Sequence, residues 1–531
     1  MRVVAFGLVL LCWTPKGTAQ KVNIKNDVFW KTKDGQPINS QGGGIFQFRD
    51  PVSGEIKYYW YGVHYKEADD YRNDPSVTLS RATFASVTCY SSTDLGNWTF
   101  EADVLTQEEV IKPGTRSWVG RLGVAYVKEL KKYAMFVQHD REVLIALSDS
   151  PTGKFTWHQK ISMKDMIGTS NTGDQTVFTD PDNGKSYLIY SYGSGRNKIY
   201  VSEIGVKDGK VNLLDCTEIF RGESREGNCM FKYKGNYYTV ASNIYGWDAS
   251  LVYYLVASDI RGPYEPVNNM SVMDGSADDY GHITQTGFFF TVRGSKQETI
   301  VYCGDRWADF AGNGLGYNHW FPITFQGEKP IFNSLGSWNL DAKTGEWEVA
   351  FGNDYVKNGS FEADRKLIPS VVKPVQLQLT GWLTSVIEGN PISLDSTQSP
   401  ILNHKNSADD RKMLVGEHSL HITDRVSFKR KITQTISSTK YVSLKAGFYN
   451  LKAKVRNGGD FSKLELFATS NRDTKRYKII KENPGWTEIQ IEGIYIRRGK
   501  VEIGIVAEGA ANAFCDVDDV SLVMTGLDKS H

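Results

Sequence analysis

The feature that most constrains this chain is an aromatic, β-branched strand that keeps returning. Tyr58-Tyr59-Trp60-Tyr61, Tyr133-Ala134-Met135-Phe136-Val137, Ser186-Tyr187-Leu188-Ile189-Tyr190, Asn236-Tyr237-Tyr238-Thr239-Val240 and Thr299-Ile300-Val301-Tyr302 start at positions 58, 133, 186, 236 and 299. Between them lie second strands of a common form: Thr88 to Asp94, Ile145 to Ser150, Ile199 to Glu203 and Tyr254 to Asp259. No helical period intervenes. A unit of about 60 residues repeated about five times is the pattern of a propeller built from four-stranded blades. A sandwich of regular hairpins would repeat every 8–12 residues or so instead. Residues 20–350 are therefore expected to form a five-bladed β-propeller.

The pattern changes after about residue 350. Strands Ser419 to Ile422, Ile432 to Ile436, Tyr449 to Val455, Thr487 to Ile491 and Val501 to Val506 alternate apolar and polar residues, with turns such as Ala446-Gly447 and Asn457-Gly458-Gly459. Strict alternation implies antiparallel sheets with one solvated face. Residues 351–531 are expected to form a β-sandwich of jelly-roll type, making the whole chain all-β.

Charge narrows the partners. Lys plus Arg number 62 against 61 Asp plus Glu, without the basic excess of a surface that binds nucleic acid or an anionic membrane. The N-terminus has one early positive charge at Arg2, an apolar run from Val3 to Trp13, and small residues ending at Ala19. This is the form of a secretory signal peptide over residues 1–19, so a secreted or periplasmic location is expected. Leu11 stands before Cys12 where a lipoprotein box carries a small residue, so cleavage rather than lipidation is expected. No later stretch reaches the roughly 20 apolar residues of a membrane helix. Cys89, Cys216, Cys229, Cys303 and Cys515 are widely spaced and odd in number, which suits buried free thiols rather than a disulfide framework or zinc site.

Four further runs point to chemistry. Gly42-Gly43-Gly44-Ile45, Tyr58-Tyr59-Trp60-Tyr61-Gly62, Arg225-Glu226-Gly227-Asn228-Cys229-Met230-Phe231 and Gly304-Asp305-Arg306-Trp307 occur in this order. Together with the turn Ser148-Asp149-Ser150-Pro151-Thr152-Gly153, they resemble glycoside hydrolase family 43, in its arabinofuranosidase and exo-galactanase branch. Glycosidic hydrolysis needs a protonated carboxyl beside the leaving oxygen and a group that activates water across the ring. Glu226, entering an aromatic strand after Arg225, is the expected general acid, its proton retained by desolvation and a second carboxylate. The resemblance implies that Asp174, before Thr176-Val177-Phe178, tunes that acid.

The general base is where the sequence departs from the family. Most members carry an Asp on the first strand where this chain has Gln41-Gly42, and the glutamates of other relatives are replaced in Tyr61-Gly62-Val63 and Gly120-Arg121-Leu122-Gly123. Exo-galactanases lacking the first-strand Asp hold the water with a Gln, and Gln285 in Thr284-Gln285-Thr286 resembles it; Asp305 is the alternative base. Arg306 and Trp307 are expected to bind sugar, the Arg through hydroxyls and the Trp as a flat apolar face. Tyr61, Trp118, Trp247 and Trp320 are further candidates for the pocket wall. His282 either binds a central ion, as the resemblance implies, or is a core histidine. Asn358-Gly359-Ser360-Phe361-Glu362 and Val517-Asp518-Asp519-Val520 resemble the ends of a carbohydrate-binding module. That likeness implies a structural calcium held by Glu362 and Asp519, with or without sugar binding.

No cofactor is expected for the chemistry itself. The resemblance implies an inverting exo-glycosidase acting on plant arabinan, arabinogalactan or pectin side chains. An α-L-arabinofuranosidase is the first expectation, followed by an exo-β-1,3-galactosidase or β-xylosidase. The missing base leaves a non-catalytic sugar-binding propeller as the rival.

Overall fold

The computed structural model describes residues 21–531 except 75, 80, 112–117, 140–141, 247–248, 309–312, 364–378, 392–402, 415 and 528–531, together with the side chains of 308, 313–316 and 403–405. The export signal read at residues 1–19 and the candidate Trp247 lie outside the described residues.

Five antiparallel sheets follow one another along the chain, four in simple sequential order and the third with two later strands, Lys210–Leu213 and Thr217–Arg221, paired to its third strand Lys198–Lys207. Their first strands are Gln41–Arg49, Val119–Val127, Thr172–Thr179, Glu226–Tyr233 and Gln285–Arg293, which begin blades I to V. These five strands contact one another in a closed ring, with blade V meeting blade I, so they are the innermost strands of a five-bladed propeller. The recurring aromatic runs are the second strands. Their side chains fill the space between blades: Tyr59, Tyr61 and Val63 of blade I pack with Leu122, Val124 and Met135 of blade II.

Closure of the ring depends on the N-terminal segment and tryptophan packing. Val22–Lys25 pairs antiparallel with Ser337–Leu340, beyond blade V. Trp320 of blade V lies 4.5 Å from Trp30 and 4.9 Å from Trp60 of blade I, and Trp98 joins the group at 5.1 Å from Trp60. Asn26 ties the backbone of this seam, accepting from Trp320 N at 2.8 Å and donating to the Trp320 and Leu335 carbonyls. Aromatic rings bring large apolar area to a joint that no continuous sheet spans.

The transition to the second unit falls between Val349 and Tyr355, because Tyr355 and Val356 already belong to the C-terminal core. Two five-stranded antiparallel sheets face each other there. One contributes Ile432, Leu466, Ile503 and Ile505 to the core, the other Leu420, Leu451, Val455 and Ile489. The alternation visible in the sequence supplies these inward positions. No helix among the described residues is long and apolar enough to cross a membrane.

Two expected sugar-binding aromatics prove to be packing residues. Trp320 is fully buried in the closure seam. Tyr61 is equally buried, donates to the Pro151 carbonyl at 2.6 Å and meets Phe155 of the neighbouring blade edge-on. A residue between blades cannot present a face to substrate. Trp320→Ala is therefore expected to cost about 3–5 kcal/mol in denaturant unfolding. The milder Trp320→Phe should leave KM unchanged, an outcome excluded if the indole touched sugar.

Candidate active site

All five innermost strands break register near their first residues. The shifts lie between Gln41 and Gly44, Val119 and Leu122, Thr172 and Gln175, Glu226 and Cys229, and Thr286 and Phe288. A bulge bends a strand and re-aims the side chains beside it. Repeated five times around an axis, it directs one residue per blade toward a common point: Gly42, Arg121, Asp174, Glu226 and Gln285. These residues line one cavity of about 280 Å³, with Trp118, Trp307 and Arg196 in its wall.

Glu226 is held at both oxygens. Gln285 Nε2 donates to Oε1 at 2.6 Å, and Arg196 Nη1 lies 3.0 Å from Oε2. Burial, reinforced by the negative charge of Asp174, raises the carboxyl to about 7 despite Arg196 and Arg121. Asp174 is the opposite case. Burial works against its charge, yet Arg196 at 3.1 Å, Arg121 at 3.0 Å and the Gly227 N–H at 2.8 Å bring it down to about 2. One carboxyl is thus kept protonated near neutrality and its neighbour kept ionised. Gly227 permits this arrangement: its φ is +64° and a Cβ there would meet the Thr286 carbonyl at 2.3 Å.

The two carboxylates share one guanidinium nitrogen, so the bridged oxygens are no more than about 6 Å apart, short of the roughly 6.5–9.5 Å that leaves room for an attacking water. Asp174 also has donors on both oxygens. It can orient and polarise Glu226 but is not disposed to activate water or attack.

Gln285 is fixed by its neighbours. Its Oε1 accepts from Arg121 Nη2 at 2.9 Å and from Trp307 Nε1 at 2.8 Å, while its Nε2 donates to Glu226. The amide has one N–H left and a fully occupied oxygen. It can hold a water or hydroxyl by the oxygen but cannot take its proton.

Asp305 does not line the cavity. It lies behind Arg121, bonded to Arg121 Nη1 at 2.5 Å, Asn318 Nδ2 at 2.8 Å and the Gly42 N–H at 3.3 Å. Burial pushes its carboxyl above the ordinary value against the pull of Arg121. It supports the arginine and is not placed as a base. The innermost strand of blade I contributes Gly42, at φ +60°, and its second strand Tyr65.

Residues 64–317 match the model described as Glycosyl hydrolases family 43. Residues 64–317 form a family 43 glycosidase domain. No curated protein matches the chain. Among solved structures, an exo-β-1,3-galactanase from Clostridium thermocellum is 18% identical, with 95% of this chain and 100% of that one covered at a TM-score of 0.54. An exo-β-1,3-galactanase from Phanerochaete chrysosporium solved with β-1,3-galactotriose is 19% identical, with 94% and 100% covered at 0.53. At these identities the shared property is the fold, here extending over both propeller and sandwich.

The remaining expected residues divide by location. In the family 43 pocket, Trp307 forms wall and Trp118 stands on the rim, 36% exposed. Arg306 turns away from the sugar side, donating to the Trp307 carbonyl at 2.5 Å and facing Glu362 at 3.2 Å. Of the two residues expected at a structural calcium, Glu362 accepts from the Glu417 and His418 N–H groups, and Asp519 pairs with Lys454 at 2.9 Å. His282 is off the axis, in a separate cavity of about 330 Å³ between propeller and sandwich. It pairs with Asp27 at 2.9 Å, and His319 completes a group whose ligand atoms lie within 4.8 Å of one another. Two imidazoles and one carboxylate do not fit the six to eight oxygens of a calcium centre. Burial opposes the charge of His282, but Asp27 raises it to about 10, while burial lowers His319 to about 3. The group reads as an ion pair between exposed Asp27 and half-buried His282 beside a buried neutral histidine.

Sequence reasoning missed Arg121 and Arg196 as site residues. Arg121 was visible only as part of a run lacking a glutamate. Aligning the five strand starts would have found it; Arg196 sits on a turn at φ +51° and carries no such signal. Because Arg196 favours the ionised form of Glu226, Arg196→Gln is expected to move the basic limb of the kcat/KM profile upward by roughly one pH unit. A limb that stayed in place would separate Arg196 from the acid.

Proposed function

We propose that this protein is an exo-acting β-1,3-galactosidase that removes terminal galactose from plant arabinogalactan-type chains, with Glu226 as general acid and Asp174 as its modulator. The carrying observation is the pairing of Gly42 on blade I with Gln285 hydrogen-bonded to Glu226. Among the described residues blade I brings no carboxylate to the axis, and the amide from blade V faces the acid directly. This is the arrangement expected of the exo-galactanase branch and not of arabinofuranosidases that keep an Asp on the first strand. The likeness to exo-β-1,3-galactanases over both units supports the same choice.

In this reading one terminal ring occupies the 280 Å³ cavity, with the Trp307 and Trp118 faces beside it. Glu226 protonates the departing oxygen as the bond to the anomeric carbon breaks, and ionised Asp174 and the arginines fix its orientation. The free N–H of Gln285 holds the incoming water. Among the described residues of the cavity no second unengaged carboxylate stands ready to take its proton, so the attacking water releases that proton to solvent, from which Glu226 regains the one it gave to the leaving oxygen. An export signal over residues 1–19 would place this activity outside the cytoplasm, where such polysaccharides are met.

The test is sugar release from β-1,3-galactotriose, aryl β-galactoside and aryl α-L-arabinofuranoside, with the anomer followed by NMR. Galactose released with inversion is expected, its rate falling as pH rises through about 7, where Glu226 loses its proton. Glu226→Gln should lose about 10²–10⁴-fold on galactotriose and much less on an aryl galactoside, whose leaving group needs little protonation. Release of arabinose without galactose would overturn the sugar assignment.

A further inference from the structure

Glu362 belongs to the segment that enters the sandwich, yet its carboxylate is aimed at the propeller. Oε1 accepts from the Glu417 N–H at 2.8 Å and the His418 N–H at 2.7 Å, and Oε2 faces Arg306 Nη2 at 3.2 Å. The side chains of Arg306 and Glu362 are 12% and 6% exposed. Gly416 makes room for the carboxylate: its φ is +91°, and a Cβ there would come within 2.3 Å of Glu362 Cδ. A carboxylate given two backbone donors and one guanidinium in a buried place is held in a single orientation.

The line of contacts continues into the catalytic cavity. Arg306 Nη1 donates to the Trp307 carbonyl, Trp307 Nε1 donates to Gln285 Oε1, and Gln285 Nε2 donates to Glu226 Oε1. A second grip lies nearby, where Arg411 of the sandwich donates to the Ser76 carbonyl at 3.1 Å and Thr78 Oγ1 at 2.9 Å. Ser76 and Thr78 follow the helix Glu67–Asn73, which itself follows the cavity residue Tyr65.

We propose that Glu362 is a positioning residue of the propeller's active site, holding Arg306 so that Trp307 and Gln285 stay registered on the acid, and that the sandwich is in this sense a structural part of the catalytic pocket. This rests on Glu226 being the acid. It assigns the sandwich a role in catalysis that needs no sugar bound to it.

Glu362→Gln in the full chain tests it. Expected are a folded protein and a loss of about tenfold or more in kcat/KM on galactotriose, carried mainly by kcat. The basic limb should also move to higher pH, because the Gln285 hydrogen bond favours ionised Glu226 and its loosening raises the acid. Hydrogen exchange in the peptide spanning residues 303–308 should rise. Arg306→Lys, which keeps the charge but not the forked contact, should move the same observables in the same direction and serves if Glu362→Gln does not fold. A folded variant with kcat/KM within twofold, an unmoved pH limb and unchanged exchange overturns the proposal, as does a loss of rate with the limb unmoved. If the wild-type chain cleaves no glycoside, the enzyme reading fails by itself. Exchange at 303–308 and calorimetric binding of a galactose-configured iminosugar, compared between wild type and Glu362→Gln, then decide the positioning role: faster exchange with weaker binding supports it, and no change in either overturns it.

Discussion

Arg121 is the constraint on which the site depends. Its guanidinium is almost completely buried at the mouth of the propeller axis, where it meets Asp174 of blade III, Asp305 and Gln285 of blade V and the Thr286 carbonyl. A charge so placed is tolerable only if its donors are matched, because the desolvation cost of an unpaired ion exceeds what the surrounding packing returns. Matching them requires strands from three blades to begin at the same height. The bulges at the strand starts meet that requirement, and the same geometry brings Glu226 beside Asp174.

One arginine therefore separates two carboxyls electrostatically. Asp174 has Arg121, Arg196 and a backbone N–H to stabilise its charge, whereas Glu226 shares Arg196 and faces a neutral amide. The difference in partners, rather than any difference in burial, puts one near 2 and the other near 7. Opposite protonation states in adjacent carboxyls are what glycosidic acid catalysis needs. Asp305, buried behind the arginine, contributes by holding it and does not reach the sugar.

The sandwich enters the same logic from outside the ring. Its core is built independently, from two sheets whose inward residues alternate along each strand. Beside apolar packing of Ala363 and Val442 on the propeller, it makes polar, directed contacts: Glu362 to Arg306, and Arg411 to the segment after the helix Glu67–Asn73. Apolar packing alone is non-directional, so a buried ion pair at the seam specifies how the two units meet.

The sequence alone determined the architecture. Aromatic second strands at blade-length intervals and the shift to strict alternation after residue 350 are local patterns, and burial demands of a propeller and a sandwich impose them residue by residue. It also pointed to Glu226, at the start of an aromatic strand, and, through the family resemblance, to Asp174, and it showed that blade I carries no acid at Gly42. It could not sort the aromatics, since an indole that closes the ring at Trp320 and one that lines the pocket at Trp307 look alike in a chain. Nor could it find Arg196, assign Gln285 its donors, or see that Glu362 faces Arg306. Those relations join residues dozens to more than a hundred positions apart, and only the meeting of separate blades and of the two units decides which polar groups must satisfy one another.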